Sequence, residues 1–213
     1  DGQAFCVRGN HEEKLLRALR QRRSRSATTE QAARHGLAES LEQLDAEPPE
    51  FVAEVLDFID GLVSHYVFDD GRLVISHAGL PQRYHGRTSG RVRSLAMYGE
   101  TTGETDRWGY PVRLDWARDY RGDARVVYGH TPVPLPEWVN NTLCVDTGCV
   151  FGGRLSALRY PENDVVGVAA AETYWPSERP MGYGDSDADE RVRSRLRFDD
   201  VVAGDKRLIS TRF

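Results

Sequence analysis

The spacing of apolar positions predicts helices in the first sixty residues. Leu15, Leu16 and Leu19 recur at helical spacing and predict an amphipathic helix over 13–20. A polar, Arg/Ser-rich stretch predicts a loop over 21–34, and a second helix is predicted over 36–44. Pro48 and Pro49 open a third helix with an apolar stripe, because proline is tolerated in the first helical turn.

After residue 64 the apolar spacing changes to that of strands. The stretch "HYVFDDGRLVISH" joins two short apolar runs through Asp-Asp-Gly, which predicts a β-hairpin. Further strands are predicted at 4–7, at 125–128 within "ARVVYGHT", and in "NTLCVDTGCVFGGRLSALRY" and "DVVGVAA". The predicted fold class is therefore α/β, a sandwich whose polar residues collect at strand ends.

The composition predicts one globular domain followed by extensions. The chain has 213 residues, of which 39% are hydrophobic and 29% charged. Pro176 to Arg195 is an aperiodic run rich in Asp, Ser, Arg, Gly and Pro, which predicts a linker. The predicted organisation is a first domain over 1–175, a linker over 176–195, and a further module or tail over 196–213.

Charge and cysteine content argue against several classes of protein. A net charge of −5 and a pI of about 5.7 do not fit a uniformly basic nucleic-acid binder. The three cysteines form no C-x-x-C pair, so reduced thiols are expected rather than a disulfide framework or a zinc site. No apolar run approaches the ~20 residues of a membrane span, so a cytoplasmic protein with no membrane partner is expected.

Three polar residues that follow predicted strands are the candidate chemistry. Asn10, His77 and His130 each come directly after an apolar run, and strand ends are where α/β folds collect functional groups. Taken singly, each fits a helix cap or a buried core histidine. Taken together, an amide oxygen and two imidazoles from three strand ends predict one side of a divalent metal site.

These motifs carry a family resemblance. "RGNHE", "ISHAGL", "YGHTPV" and "VDTGCVFGGRLSAL" resemble the later motifs of the binuclear metallophosphoesterases of the phosphoprotein phosphatase type. Flanking text such as "YGETTGETDRWGYPVR" is similar to the phosphatase module of bacterial RNA-repair polynucleotide kinase-phosphatases, and the similarity spans about residues 7–170. The resemblance implies a metallophosphoesterase-type α/β sandwich of mixed sheets flanked by helices.

The resemblance also implies roles for individual residues. Asn10, His77 and His130 would ligate the second of two divalent ions, expected to be Mn2+, or else Ni2+ or another divalent metal. His11 would lie beside the phosphate as a general acid or leaving-group stabiliser. Asp146 would support the site, with its carboxylate a candidate acceptor for the second ring nitrogen of a ligating histidine.

The function implied is a metal-dependent phosphoesterase of an RNA-repair enzyme. It would hydrolyse 2′,3′-cyclic phosphate or 3′-phosphate ends of RNA, beside kinase and ligase modules of the same polypeptide. The segment 196–213 is similar to the start of such a ligase-like module. Two alternatives stay open: a diadenosine tetraphosphatase or protein serine/threonine phosphatase acting on other phosphoesters, and a non-catalytic fragment that acts as a scaffold piece.

The chain departs from the family in one respect. The motifs Asp-x-His-Gly and Gly-Asp-x-x-Asp-Arg-Gly, which supply the first metal's ligands and the bridging aspartate, do not occur in it. These 213 residues are therefore expected to build half of a binuclear centre and to be inactive alone as a phosphatase.

Four aromatic residues admit two interpretations. Trp108, Tyr110, Trp116 and Trp138 either stack on a nucleobase or pack in the core or a lid. Packing is the commoner role of such residues and is the expectation here.

Overall fold

The computed structural model describes residues 4–23 and 37–177 of the chain. Its helices are α1 (Asn10–Arg23), α2 (Leu37–Asp45), α3 (Pro49–Gly61), α4 (Gly90–Tyr98) and α5 (Trp116–Asp119). Its strands are β1 (His65–Phe68), β2 (Leu73–Ser76), β3 (Thr101–Thr105), β4 (Pro111–Arg113), β5 (Arg125–Tyr128), β6 (Trp138–Val139), β7 (Thr142–Cys144), β8 (Asp146–Thr147), β9 (Arg154–Arg159) and β10 (Asp164–Ala169). The predicted α/β class is confirmed.

A five-stranded mixed sheet positions the candidate site. Its strand order is β1-β2-β5-β7-β6, and β2, β5 and β7 run parallel to one another. The carboxyl ends of these three strands therefore meet at one edge of the sheet. The pairing continues past the strands, because the Gly129 N–H donates to the His77 carbonyl at 2.9 Å and the Val145 N–H donates to the Tyr128 carbonyl at 2.8 Å.

Separate apolar clusters support the sheet and the helices. Val74, Val126 and Leu143, one on each parallel strand, are fully buried, as expected for strands covered on both faces. The first three helices pack through their own leucine-rich cluster, formed by Leu16, Leu19, Leu41, Leu56 and Ile59. This second cluster fixes α1, and α1 carries the first candidate residue of the site.

Two smaller sheets complete the described structure. β8, β9 and β10 form an antiparallel sheet in the order β10-β9-β8. β3 and β4 form a separate two-stranded hairpin, and all five residues of β3 are exposed. No helix among the described residues has the length and apolar composition needed to cross a membrane.

The amino-terminal elements differ from the sequence prediction. Instead of a strand over 4–7, Val7 makes an isolated parallel bridge with Val63, and the Arg8 N–H donates to the Val63 carbonyl at 2.8 Å. The first helix begins at Asn10 rather than residue 13 and runs to Arg23, so it includes the first residues of the predicted loop. Residues 24–36 and 178–213 lie outside the description, and the loop, linker and tail predictions for them stay predictions.

Candidate metal centre

The side chains of Asn10, His77 and His130 meet at one point. Nε2 of His77 lies 2.9 Å from Oδ1 of Asn10 and 2.9 Å from Nδ1 of His130. The two imidazole rings are tilted by 59° with their centroids 4.7 Å apart. Two atoms bound to one ion at about 2.1 Å and at right angles to each other lie about 3.0 Å apart. The three donor atoms therefore have the spacing of neighbouring metal ligands.

Hydrogen bonding alone does not satisfy these contacts. A neutral imidazole nitrogen offers either one hydrogen or one lone pair, so Nε2 of His77 satisfies only one of its two close neighbours. Nε2 of His130, on the other side of that ring, is buried and has no partner among the described residues. A cation at the meeting point satisfies all three lone pairs at once, so these residues fit a divalent metal.

Both histidines are held in the neutral form that metal ligation requires. Burial lowers the pKa of His77, and the nearby His11 and Arg113 act in the same direction while Glu12 and Asp146 oppose it. Burial, followed by the charge of Arg113, lowers the pKa of His130 to about 3. Because metal competes with protons for an imidazole nitrogen, two histidines that stay neutral at pH 7 favour binding.

The backbone of His130 is unusual and belongs to the geometry of the site. His130 has φ of 74°, a left-handed conformation that costs a residue other than glycine about 1–2 kcal/mol. It follows Gly129 at the end of β5, where the side chain is turned toward His77. Strain of this kind persists where the surrounding structure fixes a functional side chain.

The turn before α1 explains how Asn10 reaches the site. Asn10 is the first helical residue rather than the cap, and Oδ1 contacts His77 instead of a backbone N–H. The end of the helix is satisfied by Glu12, whose Oε2 accepts from the Gly9 N–H at 2.9 Å. A β-carbon on Gly9 would lie 2.6 Å from that oxygen and 2.9 Å from Nδ1 of His77, so a larger residue here would displace Glu12 or His77.

The other two predicted site residues lie at the rim. His11 is exposed in the first turn of α1, and its charge helps to lower the pKa of both histidines, which indicates that it is close to them. Asp146 follows β7, and its Cβ is 3.0 Å from where a β-carbon on Gly129 would be. Oδ1 of Asp146 accepts from the Gly148 N–H at 3.1 Å, and within the described part of the chain no acceptor reaches Nε2 of His130.

Sequence reasoning gave no role to Glu12 or Arg113. Arg113, at the end of β4, donates to the Tyr98 carbonyl, and its Nη1 lies 3.7 Å from the β-carbon position of Gly99. The β-carbon position of Gly99 is also 3.9 Å from the carbonyl oxygen of Ala78, the residue after His77, so Arg113 lies near that histidine. The only available signal for Glu12 was its place at the third helical position, where a carboxylate commonly completes a cap. The described ranges contain no group of three or more His, Cys, Asp or Glu side chains that could hold a metal. The candidate centre consists of two histidines and one amide.

Comparison with known proteins gives the chain its family. It is 42% identical over 175 residues to the bis(5'-nucleosyl)-tetraphosphatase PrpE [asymmetrical] of Anoxybacillus flavithermus, with 80% of this chain and 69% of that protein aligned. The corresponding enzyme of Geobacillus thermodenitrificans is 43% identical over 179 residues, with 82% and 70% aligned. A crystal structure of a proposed diadenosine tetraphosphatase superposes with a TM-score of 0.52 and 26% identity, covering 78% of this chain and 68% of that one. No protein-family model matches.

The fold, the site and these relatives together define a phosphoric ester hydrolase of the metallophosphoesterase type. More narrowly, the chain belongs to the family of the bis(5'-nucleosyl)-tetraphosphatase PrpE. The expectation of RNA-end repair is therefore wrong, since relatives at about 40% identity are named as tetraphosphatases and not as kinases or ligases. The misleading signals were the flanking text and the segment 196–213, which were similar to RNA-repair enzymes, whereas the motifs around Asn10, His77 and His130 are shared by phosphatases with different substrates.

Proposed function

We propose that this protein hydrolyses bis(5'-nucleosyl) tetraphosphates asymmetrically in a metal-dependent reaction. The observation that carries the proposal is the convergence of Asn10, His77 and His130 at 2.9 Å, in a chain whose relatives are named for that activity. An asymmetric cut of four phosphates leaves one phosphate on one nucleoside and three on the other.

The three converging side chains hold a divalent ion, which we expect to be manganese because the donors mix amide oxygen with imidazole nitrogen. When bound, such an ion neutralises phosphate charge and makes a water molecule more acidic. The chain's own part is to keep His77 and His130 neutral and to fix Asn10 through the Gly9 turn.

His11 and Asp146 complete the proposed machinery. In the reaction the water oxygen forms a bond to one phosphorus and releases one proton to solvent, while the bridging P–O bond breaks and the leaving oxygen takes the electron pair. His11, exposed at the rim, donates a hydrogen bond or a proton to that leaving oxygen. Asp146, the first residue of β8, positions the turn that follows this strand, because its carboxylate accepts from the Gly148 N–H.

Product analysis tests this function on a protein in which the Asp-x-His-Gly and Gly-Asp-x-x-Asp-Arg-Gly motifs precede this chain, and this form is called the full-length protein here. With bis(5'-adenosyl) tetraphosphate and Mn2+, we expect AMP and ATP in equal amounts by anion-exchange chromatography. Formation of two ADP molecules would overturn the asymmetric assignment. Intact substrate under conditions in which p-nitrophenyl phosphate is hydrolysed would overturn the substrate class.

A pair of histidine variants supplies the control. His77→Ala removes a ligand and should reduce turnover by more than the ~10–100-fold that follows loss of a residue that only orients a ligand. His65→Ala removes a half-buried histidine of β1 whose Nε2 accepts from the Gly86 N–H, outside the proposed site. Its turnover should stay near wild type, and equal losses in both variants would contradict the proposed ligand set.

A further inference from the structure

The β3–β4 hairpin has the features of a recognition arm rather than of a core element. β3 is exposed along its whole length, so burial of an apolar face does not account for the hairpin. Its tip nevertheless carries a cation–π pair, in which the guanidinium carbon of Arg107 lies 3.9 Å from the ring centroid of Trp108. An exposed arginine over a tryptophan ring presents a planar, positively charged group to solvent.

The tip is fixed by its own hydrogen bonds. Oδ1 of Asp106 accepts from the Trp108 N–H at 3.0 Å and from the Tyr110 N–H at 2.9 Å. Backbone bonds close the same turn, from the Asp106 N–H to the Tyr110 carbonyl and from the Gly109 N–H to the Asp106 carbonyl. A turn held in this way loses little conformational entropy when it binds a ligand.

The base of the hairpin lies beside the metal centre. Arg113 ends β4 against Tyr98, close to the carbonyl of Ala78 and hence to His77. With a rise of about 3.3 Å per residue, Tyr110 lies about 10 Å along the strand from Arg113. This length corresponds to several P–O bonds, so a polyphosphate chain could connect a phosphate at the metal centre to a base at the hairpin tip.

We propose that the Arg107–Trp108 pair at the hairpin tip stacks on a nucleobase of the dinucleoside polyphosphate substrate while the phosphate chain lies at the metal centre. The proposal rests on the function proposed above and names the group that recognises the base. Arginine planes and aromatic rings both stack on bases, and the positive charge suits the adjoining phosphates. Stacking of this kind tolerates any base, so the arm distinguishes nucleotides from base-free phosphates rather than adenine from guanine.

Binding measurements on the full-length, Mn2+-loaded protein test the arm without relying on turnover. The probes are a methylene-bridged, non-hydrolysable bis(5'-adenosyl) tetraphosphate and the same compound with riboses that carry no base. By calorimetry we expect the wild type to bind the base-bearing compound on the order of tenfold more tightly. Arg107→Ala and Trp108→Ala should each remove most of this preference, and Trp108→Phe should retain much of it.

Trp138→Ala is the control, since Trp138 is an exposed tryptophan that lies on β6, outside the hairpin. Its preference for the base should equal that of the wild type. A wild type with no preference, or a Trp108→Ala protein that keeps the full preference, overturns the proposal. The readout is binding, so this result is independent of whether product analysis supports asymmetric hydrolysis.

Discussion

Asn10 shows why a single residue type carries little information until its contacts are known. In sequence it follows a glycine and precedes a helix, which is a common arrangement for a capping asparagine. In the structure the helix is completed by Glu12 and Gly9, and the amide oxygen of Asn10 is directed to His77. The amide oxygen of Asn10 is therefore free of a capping role and is placed where a metal ligand would be.

At the same scale, His11 gives a test of leaving-group chemistry. In the full-length protein, His11→Ala should reduce the turnover of a simple alkyl phosphate by about 10²–10⁴-fold, because an alkoxide leaves poorly without a proton. Hydrolysis of p-nitrophenyl phosphate should be nearly unchanged, because nitrophenolate leaves without one. Steady-state kinetics on both substrates provide the measurement, and equal losses on the two would contradict a proton-donating role.

The positions of Arg113 and Arg107 relative to the candidate site could not be predicted from the sequence pattern. Both lie in the segment around β4, where the sequence has neither helical nor strand periodicity strong enough to place a side chain. Arg113 acts through space, since its charge helps to lower the pKa of two histidines from another part of the chain. Such coupling depends on tertiary contacts, so it required the structure.

At the scale of elements, the site was predictable where chemistry follows strands directly. His77 and His130 sit immediately after β2 and just after β5, and the parallel order of those strands brings them to one edge. The prediction of a strand at 4–7 was wrong because this segment lacks a partner strand among the residues that the structure describes. An apolar run forms a strand only where a partner pairs along it, and the described structure gives this run a single bridge at Val7.

The turn between that bridge and α1 gives a second prediction. Gly9→Ala should weaken Mn2+ binding by the full-length protein at least about tenfold, because the added methyl group collides with Glu12 and His77 and displaces the turn. Gly61→Ala is the control, since a β-carbon there meets nothing within 4 Å at the end of α3. It should leave metal binding unchanged and stabilise the fold by up to about 1 kcal/mol.

Calorimetric titration with Mn2+ and urea unfolding separate the two effects. The site explanation requires Gly9→Ala to lose metal affinity while circular dichroism keeps its helical signal. A Gly9→Ala protein with wild-type affinity would show that the turn adjusts without disturbing Asn10 and His77.

On the scale of the whole molecule, sequence motifs gave the class of chemistry and the fold but not the substrate. The motifs around Asn10, His77 and His130 are those by which the chain resembles the metallophosphoesterase class, and one class of fold serves enzymes with different substrates. What distinguishes those substrates lies in the groups beyond the phosphate, and the feature suited to reading them here is the exposed β3–β4 hairpin. Without its three-dimensional position, its tryptophan was assigned to packing.

Packing did prove to be the role of another aromatic residue. Trp116 lies against the cluster of Val74, Tyr120, Ala124 and Val126, so the same kind of side chain serves the core in one place and the surface in another. Tyr120, at the centre of this cluster, is 4% exposed, and its hydroxyl donates to the Ala124 carbonyl at 2.9 Å. The core of the parallel sheet therefore contains an ionisable group that must stay protonated.

That requirement predicts how global stability depends on alkaline pH. Burial raises the pKa of Tyr120 from 10.0 to about 12, and the charge of Asp123 adds to the effect. Between these values the unfolded chain releases the proton and the folded chain keeps it, so the free energy of unfolding must fall as pH rises. Urea titrations of the full-length protein at about pH 9 and about pH 11 should show this loss, and Tyr120→Phe should show a smaller loss because phenylalanine has no proton to release.

The pH dependence that remains in Tyr120→Phe should include Tyr128, whose pKa burial also raises to about 12. Removal of the Tyr120 hydroxyl costs about 1 kcal/mol at neutral pH through the lost hydrogen bond, so the comparison depends on slopes rather than absolute values. Parallel pH dependence in the two proteins would mean that another group controls alkaline unfolding and that Tyr120 reaches solvent before the sheet opens.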